Sequence, residues 1–291
     1  MSVQDTSPQP GRDYGCDWPQ ANRTRLCVGI DPHAGLLADW SLPDSAAGVR
    51  DFGLRIVEAA AGECRTVKPQ AAFFERHGSR GMAALEDVLS AAHAAGLSTI
   101  LDIKRGDIGS TMAGYAEAYM NPASPLYANA VTLSPYLGFG SLAPAFECAR
   151  TYGTGAFVLA LTSNPDGAAV QHARTSGGQT VAAEVIAGVR EVNAQLGAPR
   201  LGVVIGATTG TAARDLGIDL TAGDYPILAP GYGAQGGAVE DLHSVFGAAF
   251  TDGRVIVNAG RAILSAGPGI PALREQMRET TRALTGADGL H

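Results

Sequence analysis

Ser98-Thr-Ile-Leu-Asp-Ile-Lys-Arg-Gly-Asp-Ile-Gly-Ser-Thr111 joins an apolar run, a group of closely spaced charges and the start of a helix. Thr99-Ile-Leu101 reads as a buried strand. In a strand, residues two apart share a face. Asp102 and Lys104 therefore point one way, and Ile103 points the other. Asp107 comes after the strand has ended, where the chain can turn back over the same site. Charges at the end of a buried strand are costly unless they are paired or used. This stretch alone leaves two readings, a strand-end salt bridge or a catalytic strand.

Apolar runs of the same kind lie on both sides of it. Leu26-Cys-Val-Gly-Ile-Asp31 and Arg65-Thr-Val-Lys-Pro-Gln70 precede it, and residues 130–136, 156–162, 201–207, 226–231 and 254–260 follow. Each run is followed by apolar spacing of helical period, over residues 51–61, 81–95, 109–119, 141–152, 180–196, 209–216, 238–246 and 270–284. A polar loop, 164–179, precedes the fifth of these helices. Runs without polar alternation fit strands buried on both faces, hence a parallel sheet. Eight strand–helix units in roughly 250 residues is the size of one (β/α)8 TIM barrel, with a doubly wound open sheet as the competitor. No linker divides the chain. The expected organisation is an N-terminal arm, 1–22, and a single α/β barrel domain, 23–291.

Composition sets limits on partners. The chain has 291 residues, 46% of them hydrophobic, and a net charge of −7. That balance argues against nucleic acid or an anionic membrane as the main partner. Cys16, Cys27, Cys64 and Cys148 show no C-x-x-C pairing and read as free thiols of a reducing compartment. There is no signal-peptide-like apolar core and no apolar run long enough to cross a bilayer, so a cytoplasmic protein is expected.

Polar residues gather at the strand ends, which in barrels carry the active site. Lys68 lies on the second strand, next to the third, and can reach Asp102 and Lys104. The order Lys68, Asp102, Lys104, Asp107 places opposite charges side by side. A lysine among carboxylates keeps its proton and suits proton donation rather than Schiff-base chemistry. A metal site is disfavoured, because each carboxylate has a lysine competing for it. His33, His77 and His93 show no ligand spacing and read as surface or packing residues. Gly231-Tyr-Gly-Ala-Gln-Gly236 matches the dinucleotide fingerprint G-x-G-x-x-G, but that fingerprint belongs to a first strand–helix turn and this is the seventh. In a barrel, the loops after strands seven and eight often bind phosphate. Gly260-Arg261 adds a guanidinium suited to phosphate oxygens.

Asp102-x-Lys104-x-x-Asp107-Ile108, with Thr111 four residues on, resembles the signature of the orotidine 5′-phosphate decarboxylase family. Cys27-Val-Gly-Ile-Asp-Pro-His33, Val67-Lys-Pro-Gln-Ala-Ala-Phe-Phe-Glu75, Ser134-Pro-Tyr-Leu-Gly-Phe-Gly140 and Thr162-Ser-Asn-Pro165 resemble its longer bacterial subgroup. The resemblance spans nearly the whole chain after residue 22.

The resemblance implies a TIM-barrel carboxy-lyase that converts orotidine 5′-phosphate to uridine 5′-phosphate without metal or organic cofactor. Lys104 would protonate C6 as carbon dioxide leaves. Asp102 would sit by the substrate carboxylate, and Lys68 by that carboxylate and the ribose. Asp31 would bind ribose hydroxyls, Ser163 the pyrimidine, and Gln235 would bridge pyrimidine and phosphate. Pro230 is placed among the substrate-binding residues, and Gly260 and Arg261 at the phosphate. Asp107 and Thr111 would reach into the partner's site of a homodimer. The sugar-phosphate decarboxylases of the same barrel keep D-x-K-x-x-D but use magnesium and an acid where Lys68 stands here.

Overall fold

The computed structural model of the chain describes residues 25–233 and 237–286. Eight parallel strands close into a barrel in sequence order: β1 Leu26–Ile30, β2 Thr66–Pro69, β3 Ser98–Arg105, β4 Ala130–Leu133, β5 Gly155–Leu161, β6 Leu201–Ile205, β7 Ile227–Pro230 and β8 Val255–Ala259. β8 returns to β1 through Leu26↔Val257, Cys27↔Asn258 and Val28↔Ala259, so neither edge is open. The expected TIM barrel is the observed fold. The arm expected over 1–22, with Cys16, lies outside the described residues.

The outer layer follows the strands one by one: α1 Ala46–Ala60, α2 Gly78–Ala94, α3 Gly109–Met120, α4 Ala143–Tyr152, α5 Val181–Leu196, α6 Ala212–Asp215, α7 Val239–Phe246 and α8 Ile270–Thr285. Two helices start earlier than their apolar spacing predicts. α1 begins after Ser45, whose hydroxyl accepts from Gly48 N at 3.3 Å. α2 is preceded by a separate turn, Ala72–Glu75. The helix expected over 209–216 shrinks to α6, because the Thr209 amide and hydroxyl both bond the Gly206 carbonyl in a turn. The segment expected as a polar loop after β5 instead holds a 3-10 turn, Pro165–Gly167, and a short helix, Ala168–Gln171. Gln171 pins it back on the strand end by accepting from Thr162 N and donating to Thr162 Oγ1, at 2.9 and 2.7 Å.

Both faces of the sheet are buried, which explains the unbroken apolar runs. Leu26, Val28 and Ile30 of β1 face the helices, as do Val131 and Leu133 of β4 and Val255 and Val257 of β8. The alternate residues fill the barrel. Cys27, Ile100, Ala130, Phe157, Val204, Leu228 and Ile256 form one buried layer, each from a different strand. On β2 the matching position is Thr66, the register partner of Cys27. This layer is the floor of the site above it.

Candidate active site

Moving two residues along each strand from the apolar floor keeps the inward face and reaches the mouth at the C-terminal ends. That step gives Gly29 on β1, Lys68 on β2, Asp102 on β3, Thr132 on β4, Pro230 on β7 and Asn258 on β8. One step further gives Asp31, Gln70, Lys104, Ser134 and Gly260. The strand period therefore delivers the charged residues to one place.

Asp102 is the hub. Its Oδ2 lies 2.8 Å from Lys68 Nζ, and its Oδ1 lies 2.6 Å from Lys104 Nζ. Thr132 Oγ1 donates to the same Oδ1 at 2.8 Å. Lys68 also donates to Gln70 Oε1 at 3.3 Å, and Gln70 Nε2 donates to the Asp102 carbonyl at 3.4 Å. The two lysines differ in exposure: the Lys68 side chain is 4% exposed and that of Lys104 46%. Lys68 is thus a buried counter-charge, and Lys104 presents its ammonium to the mouth.

The electrostatics agree with this division. Burial by itself would raise the Asp102 carboxyl, but the charges of Lys68 and Lys104 outweigh it and hold that group well below the usual carboxylate range. Burial would lower the Lys68 ammonium, yet the facing carboxylates Asp102 and Asp31 hold it above the usual lysine range. The pair stays charged across neutral pH.

Lys104 is held in an uncommon backbone conformation, with φ at +44°. A non-glycine residue there costs about 1–3 kcal/mol and persists only where its surroundings hold it. The other two such residues among those described, Arg25 and Ser41, lie outside the strands. The cause at Lys104 is a register shift: Leu101 pairs with Val131, but the next pair is Arg105↔Leu133. The strand bulges between them and turns the Lys104 side chain over Asp102. Several contacts fix the bulge. Ser134 N donates to the Arg105 carbonyl at 2.8 Å, and Arg105 is ion-paired to Glu75 and lies over the Tyr115 ring. At Gly106 any Cβ would come within 2.2 Å of the Ser134 carbonyl oxygen, so only glycine fits.

The expected fourth charge does not join the network within one chain. Asp107 Oδ1 instead accepts from Ile108 N at 2.8 Å, because the chain turns away from the barrel axis into α3. Thr111, on the first turn of α3, is exposed beside it.

The opposite side of the mouth is more open. Asp31 follows β1 and lies in a space cleared by two glycines. A Cβ on Gly29 would approach Asp31 Oδ2 to 2.7 Å, and one on Gly260 to 2.8 Å. Arg261 follows Gly260, is exposed, and has no ion pair among the described residues. The loop after β7 folds toward it. Gly233 N donates to the Gly237 carbonyl at 2.8 Å, and a Cβ on Gly233 would touch the Ala262 side chain at 2.8 Å. Ser163, exposed after β5, faces Gly206 at the end of β6. Gln235 lies outside the described residues.

The fold thus brings Lys68, Asp102, Lys104, Asp31, Pro230, Gly260 and Arg261 to one end of the barrel. Sequence reasoning missed Gln70 and Thr132. Both lie on inward-facing positions two residues beyond the floor or beyond a charged residue, which was the available signal. His33, His77 and His93 make local polar contacts, and His77 lies 3.6 Å from Asp44. His33 caps the turn at Ala34–Asp39 by accepting from Leu36 N, and His93 is hydrogen-bonded to Thr99 Oγ1 at 3.0 Å.

The profile of the family described as orotidine 5′-phosphate decarboxylase / HUMPS matches residues 24–276. An orotidine 5′-phosphate decarboxylase of Salinispora arenicola is 52% identical over 274 residues, covering 92% of this chain and 96% of the relative. A crystal structure of a Streptomyces avermitilis protein, provisionally assigned the same activity, superposes with a TM-score of 0.82 at 46% identity, covering 99% of this chain and 100% of the other. The structure of Leishmania donovani OMP decarboxylase superposes with a TM-score of 0.71 at 30% identity, over 91% of this chain and 95% of that one.

Proposed function

The chain belongs to the orotidine 5′-phosphate decarboxylase / HUMPS family, and on that premise we propose how its barrel mouth converts orotidine 5′-phosphate to uridine 5′-phosphate and carbon dioxide. The observation that carries the reading is the Lys68–Asp102–Lys104 chain, with Lys104 half-exposed at its open end.

Breaking the bond between C6 and the carboxylate leaves the electron pair on a ring carbon with no adjacent sink. A fixed ammonium stabilises that charge where it develops. Lys104 then gives its proton to C6 and is left as the neutral amine, which solvent reprotonates. Asp102 holds the Lys104 ammonium at 2.6 Å and stands beside the departing carboxylate. Lys68, buried on the other Asp102 oxygen, keeps that acid ionised and extends toward the ribose. Both carboxylate oxygens are occupied by ammonium groups, which favours a metal-free reaction over the magnesium chemistry of sugar-phosphate relatives.

Asp31 is assigned to the ribose hydroxyls, Ser163 to the pyrimidine, and Pro230 to the pocket wall. Gly260 and Arg261 are assigned to the phosphate, with Gln235 bridging phosphate and pyrimidine. Contacts to the remote phosphate supply binding energy that aligns the reacting ring. Asp107 and Thr111 are assigned to the partner's site in a homodimer. Supporting this, Ile108, Tyr136 and Leu137 are 62%, 79% and 53% exposed on the loops after β3 and β4. Tyr136 and Leu137 are adjacent in the chain, and an exposed apolar pair of this kind suits an interaction surface. A cytoplasmic location is consistent with the free, buried Cys27, Cys64 and Cys148. No described helix is long and apolar enough to cross a membrane.

The test is incubation with orotidine 5′-phosphate in EDTA while following loss of the orotate chromophore. Turnover is expected. No turnover by well-folded protein overturns the reading.

A further inference from the structure

The roles assigned above make no use of the buried hydroxyl that bonds Asp102. Thr132 lies on the inward face of β4 and is 1% exposed. Its Oγ1 donates to Asp102 Oδ1 at 2.8 Å and accepts from the backbone N–H of Lys104 at 3.0 Å. We propose that Thr132 is a positioning residue, which latches the Lys104 backbone in its left-handed conformation and thereby aims the ammonium at the reacting carbon.

The register of β3 on β4 explains why such a latch is needed. Between the pairs Leu101↔Val131 and Arg105↔Leu133, β4 has only Thr132 to face Asp102, Ile103 and Lys104. The ladder cannot serve an amide in the bulge, and a buried amide without an acceptor is costly. The Thr132 side chain supplies the acceptor that the backbone of β4 does not. A hydroxyl can donate and accept at once. Its proton is spent on Asp102, so its lone pair is directed at the Lys104 amide, and each bond strengthens the other. The same hydroxyl therefore ties the backbone of the proton donor to the carboxylate that holds its ammonium. Valine has the same shape and can do neither. Serine keeps both bonds.

This inference rests on Lys104 being the proton donor, so its test includes a measurement that needs no turnover. Thr132→Val and Thr132→Ser are compared with wild type in kcat and KM for orotidine 5′-phosphate, in uridine 5′-phosphate binding by calorimetry, and in a crystal structure of the valine variant. Thr132→Val is expected to lower kcat roughly 10–100-fold, the cost of a misplacement near 1 Å, with KM and nucleotide binding nearly unchanged. Thr132→Ser is expected to stay within about threefold of wild type. In the valine variant, Lys104 is expected to leave positive φ. A Thr132→Val enzyme with kcat within about twofold of wild type overturns the latch, as does a serine variant impaired as much as the valine variant. Positive φ retained at Lys104 in the valine variant overturns it as well. If the valine variant does not fold, the same criteria apply to Thr132→Ala. If wild-type protein does not turn over the substrate, the functional reading fails, while the crystal structure still decides the latch.

Discussion

On the β2–β4 side of the barrel mouth the charged groups are hydrogen-bonded and ion-paired to one another, whereas on the β7–β8–β1 side the side chains of Asp31 and Arg261 have no hydrogen-bond or ion-pair partner among the described residues. Asp102 is bonded by Lys68, Lys104 and Thr132, and a strained backbone holds Lys104 over it. Asp31 lies in a gap between glycines, and Arg261 is exposed. The first side is set for chemistry before any ligand arrives. The second side gains its partners from the ligand. This matches the needs of a reaction that stabilises a carbanion. Donors aimed at developing charge work best when they need no rearrangement, while binding groups can close around a phosphate and contribute its binding energy.

The largest expected effect is on the prebuilt side. Lys104→Ala should lower kcat by about four orders of magnitude, because it removes both the stabilising charge and the proton. A rate loss of less than tenfold in a chromophore assay would remove Lys104 as the donor. Next comes the open side. Arg261→Ala should lower kcat/KM by roughly 10²–10³ through loss of a charge-assisted phosphate contact, raising KM and lowering kcat together. If steady-state kinetics instead showed the loss mainly in kcat with KM unchanged, the contrast between the two sides would break.

Stability offers a third comparison. Asp102→Asn leaves Lys68 buried without its counter-charge and should cost about 3 kcal/mol, readable by urea unfolding. The pH dependence has a definite sign. The Asp102 carboxyl is held below its ordinary value of 3.8, so its contribution is present above that pH and is lost as pH falls through the lowered value. The Lys68 ammonium is held above its ordinary 10.5, so its contribution is present below that pH and is lost as pH rises through the raised value. The stability difference between wild type and Asp102→Asn should therefore hold level from about pH 5 to 9 and close in strong acid, as Asp102 protonates, and in strong base, as Lys68 loses its proton. A difference that vanished near pH 6 would contradict the buried pair. The smallest effect is expected at Gly29→Ala, whose Cβ would push Asp31 aside. It should cost about tenfold in kcat/KM through the displaced Asp31, with a small drop in melting temperature because the Cβ also comes within 3.2 Å of the Gly260 Cα.

The fold was legible because burial on both faces leaves a plain mark, eight apolar runs each followed by a helical period. The boundaries were less so. α1 starts early at a serine cap, and α6 is cut short by Thr209 bonding to Gly206, both local hydrogen bonds that apolar spacing does not show. Within the site, the inward direction of Lys68, Asp102 and Lys104 followed from strand period. Thr132 escaped notice because Ala130-Val-Thr-Leu133 reads as an ordinary buried strand. Asp107, which the resemblance assigns to the partner's site, turns away from Lys104 of its own chain and accepts from Ile108 N as the chain enters α3.

The sequence by itself determined which residues line each strand, which face of the strand they take, and which of them carry charge at the strand ends, because side-chain alternation is a property of any extended chain. Only the closed barrel decided that Lys68 and Lys104 would share one carboxylate, that Gly29 and Gly260 would open the same gap for Asp31, and that a bulge in β3 would place the Lys104 amide on Thr132. Each of those arrangements brings together residues of different strands. They depend on the register between neighbouring strands, and register is a property of the packed sheet.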